Sequence, residues 1–412
     1  MRIDRDRLRK DIEANAEFGA LDDAEHGRTV LTGTEANRQA REYFVERLED
    51  AGLDVRVDAV GNIAGRWTPE SADPDAAAVA AGGHLDSVPE GGIFDGPLGV
   101  YSALEAVRAM QDSGIEATRP VDVVSFTEEE GQRFASGLLG SSVAVGERSV
   151  DDALALTDGR TTLADALDSM EFRGEGRLDA SEWDSWLELH VEQSRRLERA
   201  DVSVGVVTTI TGITHCDVEV RGEANHAGAT PMAERTDALV ASGEFVQDVE
   251  RAANEISETA VGTVGKIDAR PNATNVVPGA VTMGVDIRDV EYESMNELVS
   301  RAEESLTILE SERGVETTLS RDFDLEPTDM SERCREAVHE AGEKSEIETL
   351  DLHSGAAHDT MHIADVTDAA MLFAPSRDGI SHNPAEWTDW EDCSTATRVL
   401  AGGIATLAGA QF

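Results

Sequence analysis

Strand-like and helix-like segments alternate through the first 130 residues, and this alternation constrains the fold more than any other feature of the sequence. Residues 34–52 place apolar side chains on one helical face, which predicts an amphipathic helix. The apolar run AAAVAAGG (76–83) is typical of a buried strand, a second helix pattern follows at 98–114, and VDVVSF (121–126) is again strand-like. We therefore predict an α/β fold with a mixed, largely parallel sheet flanked by helices.

The pattern changes between residues 211 and 325. Six segments there follow the order strand, helix, strand, strand, helix, strand. This β-α-β-β-α-β order is that of the ferredoxin-like split unit. We expect residues 211–325 to form an inserted domain, and residues 1–210 and 326–412 to form a discontinuous first domain.

The charge of the chain excludes several classes of partner. Its 412 residues include 83 Asp and Glu against 35 Lys and Arg, which gives a formal net charge of −48. Nucleic acids and anionic membranes need a basic surface, so we expect neither as a partner. Hydrophobic residues make up 40% of the chain, enough for a sizeable core and too many for a disordered acidic chain.

Lysine is nearly absent from the basic residues, and this predicts a halophilic protein. The three lysines are Lys10, Lys266 and Lys344, and all other basic residues are arginines. A carboxylate-rich surface suits high salt, where repulsion is screened within a few ångströms. An ordinary acidic protein is the alternative.

The cysteines and the apolar segments predict a cytoplasmic location. Cys216, Cys334 and Cys393 are far apart and form no CxxC pair, so we expect no disulfide framework. The first 19 residues contain no apolar signal region, and no run of 18 apolar residues occurs. We expect neither a signal peptide nor a membrane span.

The segment HLDSVPEGGIFDGPLG, residues 84–99, contains the strongest chemical signal. A strand would place His84 and Asp86 on the same face, and a glycine-rich turn would bring Asp95 back beside them. Gly96 would allow close backbone approach. An imidazole and carboxylates suit Zn, Mn, Co or Ni, and Asp86 could orient the ring of His84. A lone His-x-Asp is nevertheless often a buried histidine beside a solvated acid.

The segment SFTEEEG places three acids after the second buried strand. The carboxyl ends of strands are where open α/β sheets bind ligands. If the strand continues, Glu129 and Glu130 point to opposite sides, so that one could bind a metal while the other acts as a general base. A solvated acidic turn is the alternative.

Two further histidines complete a possible metal centre. His190 follows an apolar stretch in LELHVEQ, and His382 lies in the loop GISHNPAEW. Either histidine alone could be structural. Two metals about 3.5–4 Å apart need several nitrogen and oxygen ligands with a bridging carboxylate. The sequence supplies such a set in His84, Asp95, Glu130, His190 and His382.

The chain resembles the hydantoinase/carbamoylase family of amidohydrolases, which contains N-carbamoyl-L-amino-acid hydrolase, β-ureidopropionase and allantoate amidohydrolase. The resemblance extends from the helix near residue 40 to the last helix after Trp390. It rests on eight motifs in order: HLDSVPEGGIFDG, TEEEGQRF, ELHVEQ, NHAGATPM, RPNATNVVPG, DIRD, HSGAAHD and GISHNPAE. The larger superfamily consists of aminoacylase- and carboxypeptidase-like dinuclear metallopeptidases.

The resemblance implies a fold, a reaction and a metal content. It implies an aminopeptidase-like catalytic domain, an inserted lid and dimerisation domain, and a homodimer. Two divalent ions per subunit (Zn, Mn, Co or Ni) would support cleavage of the C–N bond of an N-carbamoyl-L-amino acid or a related ureido acid. His84 and His190 would be terminal ligands on the two metals, with Asp95 as the bridge and Glu130 and His382 completing the pair.

The resemblance also implies roles around the metals. Glu129 would be the general base, Asp86 would orient His84, and His226 of the partner subunit would stabilise the oxyanion. Ala357 departs from the glycine that is common in the family, and its methyl group could narrow the pocket or tighten a turn. Further substrate contacts would come from Gln193, Asn275, Arg288, Gly355 and Ala356.

Other functions remain open at this point. A dipeptidase or aminoacylase could use the same scaffold, and a binding protein could have lost its metals. The sequence does not choose among N-carbamoyl-L-amino acids, β-ureidopropionate and allantoate, nor among the metals.

Overall fold

A computed structural model describes residues 1–410 except residues 23 and 25. The chain divides into two compact units. The larger unit consists of Met1–Thr208 and Asp329–Phe412, and the smaller unit of Thr209–Thr328. The smaller unit contains the segment in which the sequence pattern changes.

The helices are numbered α1 to α12 in chain order. Several begin at a side chain that caps the first turn, as Thr34 does by accepting a hydrogen bond from the N–H of Asn37. The helices are Arg5–Ala16, Glu35–Asp50, Pro97–Asp112, Leu139–Ala144, Val150–Leu154, Leu163–Met170, Arg196–Ala200, Ala238–Ile256, Tyr292–Arg313, Glu332–Lys344, Asp359–Ala364 and Trp390–Leu407.

The strands are numbered β1 to β15 in the same way. They are Asp54–Val57, Ile63–Trp67, Val79–His84, Val121–Phe126, Ser185–Val191, Gly205–Ile210, Gly212–Arg221, Asn225–His226, Val261–Arg270, Val276–Val277, Ala280–Asp289, Glu316–Leu325, Thr328–Asp329, Leu350–Ser354 and Asp368–Ala374.

The larger unit is built on a mixed sheet whose centre is parallel. The strand order is β1-β2-β4-β3-β5-β15-β6-β13, and β14 pairs with β6. Strands β4, β3, β5 and β15 run parallel to their neighbours in this central group, whereas β2 and β6 pair antiparallel at its borders. The predicted class, a mixed sheet flanked by helices, is confirmed.

The central strands are apolar because both faces of the sheet are covered. Every residue of β3, β4 and β5 is buried, which confirms the prediction from the apolar runs. Helix α3 packs against β3 and β5, and α12 packs against α3 and α10. The carboxyl ends of the parallel strands consequently lie along one edge of the sheet.

The smaller unit has a four-stranded antiparallel sheet in the order β12-β7-β11-β9. Its elements follow the predicted β-α-β-β-α-β order, with α8 and α9 as the helices. Alternate residues of β11, from Val281 to Ile287, are buried in one core with Phe245 of α8 and Leu298 of α9. The intervening residues of β11 are half-buried on the other face.

None of the helices in the described part of the chain has the length and apolar character that a membrane crossing requires. Cys216, Cys334 and Cys393 are free and buried, in β7, α10 and α12 respectively.

Candidate metal centre

Neighbouring strand ends bring the predicted ligands together. Strand β3 ends at His84, and His190 lies one residue before the end of β5. Strand β4, which pairs with β3, ends at Phe126, three residues before Glu129. Because parallel neighbours end at one edge of the sheet, these side chains converge there.

Asp95 lies at the middle of the group and turns its two oxygens in different directions. Its Oδ1 is 3.0 Å from Nε2 of His190 and 3.5 Å from Nε2 of His84. Its Oδ2 is 3.4 Å from Nε2 of His382. A carboxylate placed in this way would be able to bind two ions, one through each oxygen. His84 and His190 face the same oxygen, so the geometry groups them at one position instead of one on each metal.

The carboxylates of Glu129 and Glu130 complete the cluster. Oε2 of Glu130 is 3.4 Å from Nε2 of His382, and Oε2 of Glu129 is 3.7 Å from Nε2 of His84. Three sets of side chains could each hold a metal ion, because the ligand atoms within each set lie within 4.8 Å of one another. They are His84 with Asp95 and His190, His84 with Glu129 and Glu130, and Asp95 with Glu130 and His382.

The condition under which Glu129 and Glu130 would point to opposite sides, a strand that continues through them, is not met. Strand β4 stops at Phe126, and Glu128 adopts a positive φ of 57°. The chain turns there, which lets both following carboxylates approach His84. The strand alternation on which the prediction depended no longer applies.

The backbone loop of Asp95 approaches His84 closely. Gly96 has a φ of 82°, and a Cβ at this position would lie 2.6 Å from Nδ1 of His84. Only glycine fits this combination of left-handed backbone and close contact, as the sequence predicted.

Asp86 contacts His84 through its backbone carbonyl, and its carboxylate holds a second part of the site. It lies beyond the end of β3, so it does not share a strand face with His84. Its carboxylate accepts hydrogen bonds from the backbone N–H groups of Glu129 (3.3 Å) and Glu130 (3.1 Å). Its Oδ1 is 3.8 Å from Nδ1 of His84, whereas its backbone carbonyl is 3.1 Å from that nitrogen.

Hydrogen bonds fix the orientation of both buried imidazoles. Nδ1 of His84 donates to the carbonyl of Asp86, and Nδ1 of His190 donates to the carbonyl of Val191 at 3.0 Å. A carbonyl oxygen only accepts, so each Nδ1 carries a proton. In the neutral ring Nε2 is then a lone-pair donor aimed at Asp95, as metal-binding histidines require.

Unpaired buried atoms indicate that cations fit this cluster. Among the described residues, Nε2 of His84 and Oε1 of Glu130 are buried without a hydrogen-bond partner. Such orphaned groups are costly unless something satisfies them. Imidazole nitrogens and carboxylate oxygens in this number are ligands for divalent transition ions, so the residues present fit two such ions.

The same crowding shifts the acid–base properties of the cluster. Burial, and then repulsion from Asp95, raise the pKa of Glu130 to about 8. Burial opposes protonation of His190, but Asp95 outweighs it and raises the pKa of His190 to about 9. Burial raises the pKa of Glu129 well above its usual range, although His84 opposes the shift. Strong perturbation of this kind is common at functional sites.

The predicted substrate residues of the larger unit occupy two places. Gln193 belongs to the cluster, because its Nε2 lies 3.4 Å from Oδ2 of Asp95 and 3.2 Å from Oγ of Ser381. Gly355 and Ala356 lie in the loop after β14, where Oγ of Ser354 accepts the N–H of Ala356 at 3.2 Å.

Ala357 lies in the same loop and is half-buried. It is not among the residues of the described chain that have positive φ. The methyl group that departs from the family pattern therefore strains no left-handed backbone.

His226 and Asn275 lie together in the smaller unit. The short strands β8 and β10 pair, and the carbonyl of Asn275 accepts the N–H of Ala227 at 3.0 Å. Nδ1 of His226 accepts the N–H groups of Gly228 and Ala229 at 3.0 and 3.2 Å, so this nitrogen carries no proton. The neutral ring of this exposed histidine consequently presents an N–H donor at Nε2.

Arg288 lies in the four-stranded sheet of the smaller unit, whereas His226 belongs to the separate pair of strands β8 and β10. Its Nε and Nη2 donate to the two oxygens of Asp286 at 2.9 and 3.0 Å, and His215 contacts Asp286 at 3.0 Å. Strand β10 joins β11 near Ala280, and Arg288 is eight residues further along β11. At the usual rise of a strand, Arg288 lies roughly 27 Å along β11 from Ala280.

Sequence reasoning missed several buried residues around the cluster. Glu386, Ser381 and Arg28 contact the segment that carries Asp95, and Asp359 is buried nearby. Glu386 stands four residues after His382 in the GISHNPAEW loop. In a chain with 83 acids, nothing in that loop distinguishes a buried carboxylate from a solvated one.

Comparison with known proteins identifies the family. The sequence model of peptidase family M20/M25/M40 matches residues 80–406. An N-carbamoyl-L-amino-acid amidohydrolase of Paenarthrobacter aurescens is 39% identical over 402 residues, which cover 96% of each chain. A crystal structure of an amidase of the hydantoinase/carbamoylase family from Burkholderia multivorans superposes with a TM-score of 0.95 at 32% identity, covering 99% of this chain and 98% of the other.

The chain belongs to the hydantoinase/carbamoylase family. This membership confirms the resemblance found in the sequence, and it places the chain among the metal-dependent hydrolases of family M20/M25/M40. The family also contains other ureido hydrolases. An allantoate amidohydrolase of Bacillus subtilis is 32% identical over 404 residues, again covering 96% of each chain.

Proposed function

We propose that this family member hydrolyses N-carbamoyl-L-amino acids to the amino acid, carbon dioxide and ammonia. The observation that supports this most directly is Asp95, whose two oxygens face separate histidines beside the carboxylate of Glu129. The greater identity to an N-carbamoyl-L-amino-acid amidohydrolase than to an allantoate amidohydrolase favours this substrate class.

The Asp95 cluster and Glu129 would have separate roles in the reaction. Two divalent ions held by the Asp95 cluster would polarise the ureido carbonyl and lower the pKa of a water molecule. Glu129 takes the proton of that water and returns it to the leaving nitrogen. The buried position of Glu129, with its raised pKa, favours a carboxylate that accepts a proton readily at neutral pH.

Two residues of the smaller unit would recognise the substrate. The Nε2–H of His226 is a fixed donor of the kind that stabilises an oxyanion. The guanidinium of Arg288, oriented by Asp286, suits the carboxylate of an amino acid.

We propose that the protein works as a dimer in which His226 serves the site of a second copy. Strands β8 and β10 hold His226 and Asn275 together in the smaller unit, so both would be supplied by the same copy. Isologous pairing through the inserted domain would produce such a dimer.

The acidic surface supports a proposal about the environment. Arginine is the cation in ion pairs of both units, such as Arg301 with Glu297 at 2.9 Å and Arg333 with Asp368 at 2.7 Å. Exposed pairs of this kind contribute little and leave the net charge of −48 uncompensated. We propose a halophilic protein that works in the cytoplasm, where molar salt screens this repulsion.

A substrate screen tests the proposed function. The purified protein, loaded in turn with Mn, Co, Ni or Zn, is given N-carbamoyl-L-amino acids, β-ureidopropionate, allantoate and dipeptides. We expect ammonia release to be fastest from N-carbamoyl-L-amino acids. Faster turnover of allantoate or β-ureidopropionate would assign the protein to that substrate within the same family. Amine release from dipeptides without ammonia release would show that it is a peptidase.

A further inference from the structure

We propose that Glu386 and Arg28 are positioning residues that fix the loop of Asp95 from two sides and thereby set the metal affinity of the site. This inference rests on the proposed metal-dependent function. The loop consists of residues 92–95 and leads from the turn after β3 to Gly96, the residue that precedes α3.

Glu386 holds the N–H side of the loop. Its Oε1 accepts the backbone N–H groups of Phe94 at 3.1 Å and Asp95 at 3.0 Å. Its Oε2 accepts the hydroxyl of Ser381 at 2.8 Å. The residue is 1% exposed, so its negative charge is removed from water and directed at these three donors.

Arg28 holds the carbonyl side of the same loop. Its Nε donates to the carbonyl of Gly92 at 3.1 Å, and its Nη2 donates to the carbonyl of Asp95 at 3.3 Å. This arginine is completely buried. A buried cation thus binds the carbonyl groups of the loop, and a buried anion binds its N–H groups. Each charge is compensated through the peptide that carries Asp95, which restricts where its carboxylate can lie.

Ser381 connects Glu386 to the carboxylate of Asp95 itself. Its Oγ lies 2.8 Å from Oε2 of Glu386 and 3.0 Å from Oδ2 of Asp95. A hydroxyl has one proton, so it can donate to only one of these oxygens at a time. Glu386 gives that proton an acceptor other than Asp95, which leaves Oδ2 of Asp95 able to bind a cation beside His382.

The close approach of Glu386 requires Gly92. A Cβ at position 92 would lie 2.3 Å from Oε1 of Glu386, well inside van der Waals contact. The same GISHNPAEW loop carries both His382 and Glu386, so a single segment supplies a predicted ligand and the group that holds the neighbouring ligand in place.

Glu386→Gln tests the proposal with little change in shape. The amide oxygen can still accept the N–H groups of Phe94 and Asp95, so we expect the protein to fold. The amide nitrogen would donate to Ser381, whose proton would then turn to Oδ2 of Asp95 and compete with a cation. Calorimetric titration of the metal-free protein with Mn²⁺ or Zn²⁺ should show an affinity about 10–100-fold weaker than wild type at one or both positions.

Asp122→Asn is the matched control. Asp122 is fully buried and also receives three donors, two from Arg66 at 2.7 Å and one from Trp183 at 3.1 Å. It lies near the opposite end of β4 from Glu129. We expect this variant to lower the melting temperature while its metal affinity stays within about twofold of wild type, since it holds no part of the Asp95 loop.

Gly92→Ala is a second route to the same result. It displaces the carboxylate of Glu386 without removing any charge or donor, so it should weaken metal binding in the same direction. Gly243→Ala in α8, where a Cβ would meet no atom within 4 Å, is its control.

Wild-type affinity in the folded variants would overturn the proposal. The measurement contains no substrate, so it is separate from the proposed reaction. If the wild-type protein binds two ions but hydrolyses no N-carbamoyl amino acid, the proposed function fails while the role of Glu386 stands. If Glu386→Gln binds ions with wild-type affinity and the wild-type protein is an active enzyme, the role of Glu386 fails while the proposed function stands.

Discussion

The carboxylate of Asp86 holds the backbone N–H of Glu130 at 3.1 Å. Its other oxygen accepts the N–H of Glu129, so one acid fixes the turn that carries both the proposed base and a proposed ligand. Asp86→Asn should therefore misplace both carboxylates, because an amide nitrogen facing an N–H donor cannot accept from it. We expect metal affinity or turnover to fall by about 10–100-fold, measured by calorimetry and by ammonia release. Unchanged metal affinity and turnover would show that the turn with Glu129 and Glu130 keeps its conformation without the carboxylate of Asp86.

Asp95→Ala tests the shared carboxylate. Two of the three groups of ligand atoms include Asp95, one beside His84 and His190 and one beside His382. We therefore expect this variant to lose both ions and all activity together. Elemental analysis of the purified variant, with the wild type prepared in parallel, gives the metal content. One tightly held ion with full activity would contradict a dinuclear centre.

Glu129→Gln separates the base from the ligands. Glutamine keeps the shape of the side chain but cannot accept a proton, so turnover should fall by ~10²–10⁴ while the metal content stays near that of wild type. Glu130→Gln is the comparison and should lose metal instead. If the two variants show the opposite pattern, the roles of these neighbours are exchanged.

Mixing two inactive variants tests the dimer. In a hybrid of Glu129→Gln and His226→Ala chains, one of the two sites combines an intact Glu129 with an intact His226 of the other chain. Random exchange makes half of the dimers hybrids, so activity should recover to about a quarter of wild type. No recovery after demonstrated subunit exchange would mean that His226 does not act across the interface.

Salt should stabilise the fold. Screening shortens to about 3 Å at 1 M salt, which removes most of the repulsion produced by a net charge of −48. We expect the melting temperature to rise steadily from dilute buffer to molar KCl or NaCl. A melting temperature that does not change over this range would contradict adaptation to high salt.

The sequence predicted the features that depend on local pattern. The fully buried strands Val79–His84 and Val121–Phe126 correspond to uninterrupted apolar runs, and the β-α-β-β-α-β order of the smaller unit follows from the period of its apolar residues. The close approach of the backbone at Gly96 to His84 was also predicted, because a glycine beside a possible metal ligand often allows such a contact.

The features that depend on distant contacts could not be predicted. Glu386 meets Asp95 across 291 residues of chain, and Arg28 meets it across 67. No local pattern identifies a buried acid among so many solvated ones. The direction of Glu129 and Glu130 could not be predicted for a related reason, since the strand stops at Phe126 and Glu128 is left-handed without any glycine to mark the turn.

The shared position of Asp95 has a consequence for how ions enter the site. Its Oδ1 faces His84 and His190 and its Oδ2 faces His382, so two ions bound on these two sides would divide one negative charge. An ion at either position changes the potential and the freedom of movement at the other. Thermodynamic linkage makes this coupling reciprocal, so that the factor by which the first ion alters affinity for the second is the same in both orders of binding. Binding curves will accordingly report cooperative constants of the pair, and neither position has an affinity of its own that is independent of its neighbour.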